Sequence, residues 1–179
     1  MQPPRVIDTA RLRLRQPAET DVEAIYEYGS DATVTALMDW RRLTDRSEAM
    51  GFVARTAESW SRGTEFTWVI SELGFDYVVG AISLRARAAD ADFGYVLNRR
   101  YWGRGYATEA AAVVVSWATR ERSISRIWAT CDTENHRSAR VLEKMGLVRE
   151  GLAPVGTIRP NISETPRDSF VYVKERNAV

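Results

Sequence analysis

Strict alternation of apolar and charged side chains marks the beginning of the chain. Over residues 9–16, Leu12 and Leu14 fall on one face and the arginines between them on the other, which predicts a half-buried strand whose arginines face solvent. Residues 20–28 instead place apolar side chains on one helical face. This pattern stops near Gly29, so we predict a short helix there.

The next stretch has a clear helical period only in its second half. Residues 30–40 are apolar without a regular spacing, and we expect them to pack against the rest of the protein. Beyond them, apolar positions recur at helical spacing as far as Gly63, a residue type that commonly ends helices. Thr44 or Ser47 is the predicted N-cap of this second helix.

The remainder of the chain predicts a three-stranded meander followed by alternating helices and strands. The predicted strands span residues 66–71, 78–85, 91–97, 124–131, 147–152 and 169–174, and the predicted helices span residues 106–120 and 135–145. Because a long helix separates the fourth and fifth strands of the chain, these two should be parallel. We therefore predict one α/β (α+β) domain over residues 1–179, with a mixed, mostly antiparallel seven-stranded sheet flanked by about four helices.

The connection between the fourth strand and the long helix contains two glycines one residue apart. Gly103 and Gly105 allow the backbone to turn so that successive N–H groups converge at the start of the helix, where the helix dipole favours an anion. Arg99, Arg100 and Arg104 add positive charge. The loop lacks the third glycine of a dinucleotide fingerprint and the Gly-Lys-Ser/Thr of a Walker loop. It is either a site for another phosphate-bearing ligand or a tight connection without one.

Composition narrows the function classes further. The chain has 25 Lys and Arg against 24 Asp and Glu, and the formal net charge of +1 offers no basic field for a nucleic acid. No apolar run approaches the roughly 20 residues that cross a bilayer, and the amino terminus lacks the apolar core of a signal peptide. Cys131, the only cysteine, excludes an internal disulfide and argues against a metal site. We expect a cytoplasmic protein without nucleic-acid, membrane or metal partners.

Several motifs together resemble the GNAT superfamily of acyl-CoA-dependent N-acyltransferases. They are Arg100-Tyr-Trp-Gly103-Arg-Gly105, its extension as far as Ala110, and the run from Asn135 to Leu147. With the opening residues 9–15, they are similar to the branch that contains the ribosomal-protein N-terminal acetyltransferases RimJ and RimL. This resemblance implies a GNAT-like domain that uses acetyl-CoA, with the parallel fourth and fifth strands splayed apart.

The resemblance also assigns the contacts with coenzyme A. A pantetheine arm can hydrogen-bond as an extra strand between splayed strands, and a pyrophosphate needs converging N–H groups. We predict a bulge at Gly94 that aims the backbone after it at the arm. By resemblance, the residues that contact the cofactor are Tyr95, Val96, Leu97, Arg100, Trp102, Gly103, Arg104, Gly105, Tyr106, Ala107, Asn135 and Ser138.

Acyl transfer to an amine needs a base for the amine proton, donors for the oxyanion and an acid for the leaving sulfur. By resemblance, Asp92 stands where relatives carry a glutamate. It is the candidate base, acting through water, and the alternative is a solvated carboxylate. Ser138 is the candidate acid, or a hydroxyl that bonds a backbone N–H at the helix start, where Asn135 is also a potential N-cap. The N–H of Val96 or Leu97 would polarise the thioester carbonyl.

Two other residues invite different mechanisms. The sole histidine, His136, is of a residue type that often serves as a general base, but no carboxylate is evident that would orient it. Cys131 could form an acyl-enzyme, although a lone thiol near the end of a strand usually only packs. Direct attack of the amine in a ternary complex requires neither of them.

The acceptor is the open part of the prediction. A primary amine, either a small molecule or a protein N-terminus, should enter between the first two helices and the loop of residues 153–167. Met38 and Trp40 are candidate lining residues for the acceptor. A larger donor such as succinyl-CoA, an acyl-CoA-binding sensor without turnover, and a homodimer are also compatible with the sequence.

Overall fold

The computed structural model describes residues 1–176, which form an eight-stranded sheet, a small two-stranded sheet and five α-helices. The strands are β1 Val6–Asp8, β2 Leu12–Arg15, β3 Glu65–Glu72, β4 Val78–Arg87, β5 Asp90–Leu97, β6 Arg126–Asp132, β7 Val148–Leu152, β8 Thr157–Ile158, β9 Pro166–Arg167 and β10 Ser169–Glu175. The helices are α1 Val22–Gly29, α2 Ala32–Thr35, α3 Arg46–Arg62, α4 Tyr106–Arg120 and α5 His136–Lys144.

The large sheet follows the order β1-β2-β3-β4-β5-β6-β10-β7. Its neighbouring strands are antiparallel except β5 and β6, which are parallel, so the predicted mixed sheet and the predicted parallel pair are confirmed. The sheet gains one strand over the prediction because β1 pairs with β2. The irregular stretch of residues 30–40 contains the short helix α2, and β8 pairs with β9 inside the predicted loop of residues 153–167.

A slot opens between β5 and β6 where their pairing stops. The parallel register ends with Asp92 opposite Trp128. Beyond that point β5 remains paired with β4 as far as Leu97, and β6 remains paired with β10 as far as Asp132. The two strands therefore diverge toward their carboxyl ends, which leaves backbone edges free to bond a ligand.

The predicted bulge at Gly94 is wrong. The register between β4 and β5 is continuous, and Gly94 lies opposite Ser83 without a shift. The irregularity lies in β4 instead, where the register with β3 skips Val79. The divergence of β6, and not a bulge, is what opens the edge of β5 that points away from β4 over residues 95–97.

Helices cover both faces of the large sheet. α4 and α5 pack on one face, where they bury the predicted inward leucines Leu12 and Leu14 completely. α1 and α3 pack on the other face over a second apolar cluster that includes Val53, Val69 and Val96. Among the described residues, no helix combines the length and the apolar character needed to cross a membrane.

The N-cap of α3 is Asp45, and not the predicted Thr44 or Ser47. The Asp45 carboxylate accepts the Ser47 N–H at 2.7 Å, and the Glu48 carboxylate accepts the Asp45 N–H at 3.4 Å. This reciprocal capping box satisfies two N–H groups that the helix itself cannot bond. The prediction failed because three potential capping residues lie within four positions, and their types alone do not rank them.

Candidate active site

Unsatisfied backbone N–H groups converge where the loop after β5 enters α4. Gly103 and Gly105 have φ angles of 78° and 81°, in the left-handed region that favours glycine. In the part of the chain that the structure describes, the N–H groups of residues 103–108 donate to no acceptor. The helix dipole places its positive end at the same point. The arrangement is an anion-binding cradle that suits a phosphate or a pyrophosphate.

Arg11 and Glu109 fix this cradle to the sheet. Arg11 Nη1 donates to the Arg104 carbonyl at 3.0 Å, and Arg11 Nε donates to Glu109 Oε2 at 2.8 Å. Glu109 also accepts the Arg11 N–H at 2.9 Å and the Thr9 hydroxyl at 2.6 Å. The sequence predicts only that Arg11 faces solvent. It gives no sign of the bond between Arg11 and Glu109, because the two residues lie 98 positions apart.

Replacing Glu109 by glutamine should lower the free energy of unfolding by about 1 kcal/mol at pH 7, because Arg11 loses a charged partner. Burial raises the pKa of Glu109, but the bonds from Thr9 and Arg11 outweigh it and leave the pKa below its ordinary 4.5. The stabilisation is therefore complete above pH 4.5 and is lost as the pH falls through the lower folded-state pKa.

Urea unfolding of both proteins as a function of pH measures this effect. The difference between wild type and Glu109→Gln should shrink once Glu109 itself becomes protonated. The matched control is Glu58→Gln, which removes an exposed partner of Arg62 on α3 and should change stability little at any pH. A difference that is independent of pH would contradict the assignment.

Carboxylates from neighbouring elements hold the arginines of the loop. The pairs are Arg99 with Asp31 at 2.9 Å, Arg100 with Glu27 at 3.0 Å and Arg104 with Glu72 at 3.8 Å. Each of these arginine side chains is more than half exposed. Exposed pairs are weak, so each guanidinium can exchange its carboxylate for a ligand phosphate at little cost. The contacts of Arg100 and Arg104 with a phosphate stay predictions.

The backbone of β5 directs alternate polar groups into the slot. The Asn98 N–H donates to a carbonyl of β4 at 2.8 Å, which fixes the phase of the strand. By alternation, Tyr95 and Leu97 point their N–H groups away from β4, whereas Val96 points toward it. The Trp102 indole N–H reaches the Leu97 carbonyl at 2.9 Å from that open side. Of the two predicted oxyanion donors, the geometry favours Leu97.

Ser138 and Tyr95 meet across the slot, because Tyr95 lies on β5 and Ser138 lies on α5, after β6. Tyr95 Oη donates to Ser138 Oγ at 3.1 Å. Burial raises the pKa of Tyr95 to about 12, so the phenol keeps its proton near neutral pH and the Ser138 proton is left free. Asn135 is the N-cap, since its Oδ1 accepts the Ser138 N–H at 3.1 Å. The Ser138 hydroxyl is therefore not consumed by capping.

A second contact crosses the slot beside the cradle. The guanidinium of Arg137, in the first turn of α5, lies 5.1 Å from the centre of the Trp102 ring. A cation stacked on an aromatic face gains a modest attraction. At an exposed site such a contact can break and form again easily. The two sides of the slot are thus joined by side chains at its mouth.

Asp92 lies at the point where β5 and β6 part, on the sheet face that α1 and α3 cover. It is buried, and its Oδ2 accepts both Nε of Arg85, at 2.7 Å, and Nη2 of the same residue. Asp92 is therefore not the solvated carboxylate of the alternative prediction. As a base it would work through Oδ1, because Arg85 occupies Oδ2.

The geometry gives no support to a cysteine or histidine mechanism. Cys131 is buried in the core, and burial raises the pKa of its thiol to about 11, so the nucleophilic thiolate is scarce near neutral pH. His136 is exposed at the first position of α5. Cys131 therefore contributes to the packing of the core, and His136 is a surface residue.

The two segments predicted to flank the acceptor contact each other. Asn161, in the loop before β10, donates to the carbonyls of Thr35 at 2.8 Å and Trp40 at 2.9 Å. Its Oδ1 accepts the Arg42 N–H at 2.8 Å. Met38 and Trp40 are partly buried against the cluster under α1 and α3. An acceptor that enters between these segments must pass beside the Asn161 link.

Known proteins share this arrangement. The family model described as an acetyltransferase (GNAT) domain matches residues 11–148. The chain belongs to the GNAT family. The uncharacterised N-acetyltransferase YoaA of Bacillus subtilis is 30% identical to it over 172 residues, covering 93% of this chain and 94% of YoaA. This GNAT chain is an N-acetyltransferase, which confirms the predicted enzyme class.

Solved GNAT structures have the same fold. An acetyltransferase of the GNAT family from Bacillus anthracis is 28% identical, with a TM-score of 0.82 over 96% of this chain and 98% of that one. RimL, a ribosomal-protein α-N-acetyltransferase solved with coenzyme A, is 20% identical, with a TM-score of 0.84 over 97% and 99%. At that identity the likeness to RimL shows the fold alone. Within residues 1–176, no group of His, Cys, Asp and Glu is placed to hold a metal ion.

Proposed function

We propose that this GNAT enzyme moves an acetyl group from acetyl-CoA to a primary amine by direct attack in a ternary complex. The observation that carries the proposal is the row of free N–H groups at residues 103–108, placed at the mouth of the slot between β5 and β6. A pyrophosphate would satisfy that row, and a peptide-like arm would bond the open edge of β5. RimL, with the same fold, was solved with coenzyme A.

The predicted contacts with coenzyme A are proposed as follows. The backbone from Gly103 to Ala107 holds the pyrophosphate, with Arg100 and Arg104 as exchangeable cations. The predicted backbone contact of Trp102 has no free N–H, because that group donates to the Arg99 carbonyl at 3.2 Å. Tyr95 and Leu97 offer backbone groups to the pantetheine arm, whereas Val96 contributes mainly packing because its N–H faces β4. Asn135 keeps its amide nitrogen available while its oxygen caps α5.

The chain's own groups then carry protons and stabilise charge, and acetyl-CoA supplies the activated thioester. The Leu97 N–H is placed to stabilise the oxyanion. Ser138 gives its proton to the leaving sulfur and regains one from solvent afterwards, while Tyr95 holds the serine oxygen in position. Asp92 receives the amine proton through water at Oδ1.

The acceptor is a primary amine on a small molecule or at a protein N-terminus. RimL is named for a ribosomal-protein N-terminus, which makes a protein acceptor one candidate. The Asn161 link narrows the path between the two acceptor segments, which fits a small amine better than a folded partner. We therefore favour a small amine as the acceptor of this chain.

Release of free coenzyme A thiol across a panel of amines tests the proposal. Wild-type protein should turn over repeatedly with at least one amine. Ser138→Ala should lower kcat about 10–100-fold while leaving the Kd of coenzyme A within about twofold. The control is Ser123→Ala, an exposed serine between α4 and β6, which should match wild type in both quantities.

A second candidate is an acyl-CoA-binding sensor without turnover. The bond between Arg85 and Asp92 favours it, because a carboxylate occupied by a guanidinium is a poor base. Tight binding of coenzyme A with no thiol release for any amine would support the sensor, and sustained turnover would exclude it. Parallel assays with succinyl-CoA decide whether the donor is larger than acetyl-CoA.

A further inference from the structure

Arg159, in the loop before β10, holds a positive charge inside the protein with almost no partners. The residue is 5% exposed, and its Nε is buried without a hydrogen-bond partner among residues 1–176. Nη2 donates to the Ser169 hydroxyl over a long 3.3 Å. The Asp132 carboxylate lies 4.0 Å from Nε, beyond hydrogen-bond distance. The Nε donor of this guanidinium is therefore unsatisfied, and its charge faces Asp132 only at the outer limit of an ion pair.

Other arginines that the protein partly buries are bonded to carboxylates. These pairs are Arg15 with Asp21, Arg85 with Asp92 and Arg167 with Asp132. The last pair removes the partner that Arg159 would otherwise take. Asp132 accepts Nε of Arg167 at 2.8 Å and the Glu134 N–H at 3.0 Å. Arg159 differs from these arginines, because among residues 1–176 no carboxylate accepts a hydrogen bond from it.

A purely structural role does not explain this exception. A buried charge with an unbonded donor lowers stability, and an apolar side chain of similar length would fill the same space better. A buried polar group left unsatisfied by the protein needs a further partner, such as an ordered water, an ion or a ligand. Because Arg159 is positively charged, the partner that completes it should be negatively charged.

Arg159 lies on the acceptor side of the slot. Asp132 is the last residue of β6, beyond the point where β6 leaves β5, and Asn161 bonds the segment after α2. Asp39, in that segment, is exposed, and its carboxylate acts to raise the pKa of both Arg85 and Arg159. At Arg159 burial outweighs this and leaves the pKa below its ordinary value. At Arg85 burial is itself outweighed by the hydrogen bond with Asp92, and the pKa is raised.

We infer that Arg159 binds a carboxylate on the amine acceptor, so that the acceptor is a small amino acid-like molecule. The inference rests on the proposed acetyl transfer and names the substrate class of that same site. The acceptor's amine faces Asp39 and Asp92, and its carboxylate completes the hydrogen bonds of Arg159. A molecule with both charges matches the Arg159 guanidinium, whose Nε has no hydrogen-bond partner among residues 1–176, and the exposed carboxylate of Asp39.

Matched pairs of acceptors test this inference. Each pair is an α-amino acid and the amine that lacks only its carboxylate, for example phenylalanine with phenethylamine, tyrosine with tyramine, and lysine with cadaverine. For pairs that turn over, wild-type kcat/KM should favour the amino acid by about tenfold or more, because a site built for a charge rejects the analogue that lacks it. Arg159→Met should bring the ratio close to one, and Arg159→Lys should keep part of it.

A second measurement separates recognition from folding. Arg159→Met should be at least as stable to heat as wild type, because it removes a buried charge whose Nε has no hydrogen-bond partner among residues 1–176. Arg87→Met, at the exposed end of β4, is the matched control and should keep the wild-type ratio. Loss of stability in Arg159→Met, a preference for the amine without a carboxylate, or a wild-type ratio in Arg159→Met would overturn the inference while leaving acetyl transfer intact. Thiol release with no amine at all would instead refute the proposed function.

Discussion

Replacing Gly105 by valine should weaken coenzyme A binding by about a hundredfold or more, because it both strains and fills the cradle. Gly105 has a φ of 81°, which a β-branched residue adopts only at a considerable cost. An added Cβ would also lie 3.4 Å from Nη2 of Arg11, the residue that holds the loop. The N–H groups of residues 103–108 would no longer converge on one anion.

Isothermal titration with coenzyme A measures the effect, and Gly74→Val supplies the matched control. Gly74 lies in the turn between β3 and β4 with a φ of 87°, and an added Cβ there meets nothing within 4 Å. The control thus carries similar backbone strain away from the cradle and should bind coenzyme A as wild type does. Equal affinity of Gly105→Val and wild type would show that the cofactor does not use this loop.

Local patterns predicted the parts of the fold that are long enough to show a period. Residues 106–120 form α4 as predicted, and the long helix between β5 and β6 predicted that these strands would be parallel. β1 has 3 residues and α2 has 4, so neither displays enough of a repeat to be recognised. Their positions are set by pairing and packing partners that lie elsewhere in the chain.

The cradle shows the same division between local and distant information. Its glycines were predictable because a turn with positive φ needs them wherever it occurs. The attachment of the cradle to the start of β2 could not be predicted, because Arg11 and Glu109 meet only in the folded protein. The sequence therefore predicted which residues form the cradle but not which ones hold it in place.

The partner of Asp92 could have been found from the sequence. Residues 88 and 89 connect β4 to β5, and counting back from this turn places Arg85 opposite Asp92 on the neighbouring strand. Opposite charges at facing positions of a hairpin attract each other. The hydroxyl contact of Tyr95 with Ser138 had no such signal, because the slot separates the two elements that carry them.

The acceptor side was the least predictable because its groups come from the most separated parts of the chain. The residues proposed for the acceptor, Asp39, Asp92 and Arg159, lie on three separate segments, and no spacing relates them. The inference that joins them depends on the divergence of β5 and β6, which only the folded chain shows. The donor site, in contrast, is built largely from one continuous stretch of the chain.

Gly80 lies where β4 and β5 approach each other closely, and its replacement by alanine should have the largest effect on stability. A Cβ at this position would overlap the Val96 carbonyl oxygen and lie 2.6 Å from Cδ2 and 3.0 Å from Cα of Leu97. Two of these atoms belong to the backbone of β5, which cannot move aside without breaking the ladder with β4. Gly80→Ala should therefore lower the free energy of unfolding by about 2–4 kcal/mol.

The same substitution should also weaken coenzyme A binding in the fraction that folds, because Leu97 is the residue that faces the slot. Urea unfolding followed by circular dichroism measures the first effect and titration calorimetry the second. Gly51→Ala is the matched control: it lies inside α3, where alanine is the better helix former, and its new Cβ meets only the flexible end of Arg55. That control should stabilise the protein slightly. An unchanged unfolding midpoint in Gly80→Ala would mean that β4 can retreat from β5, and the position of Leu97 would then not depend on this contact.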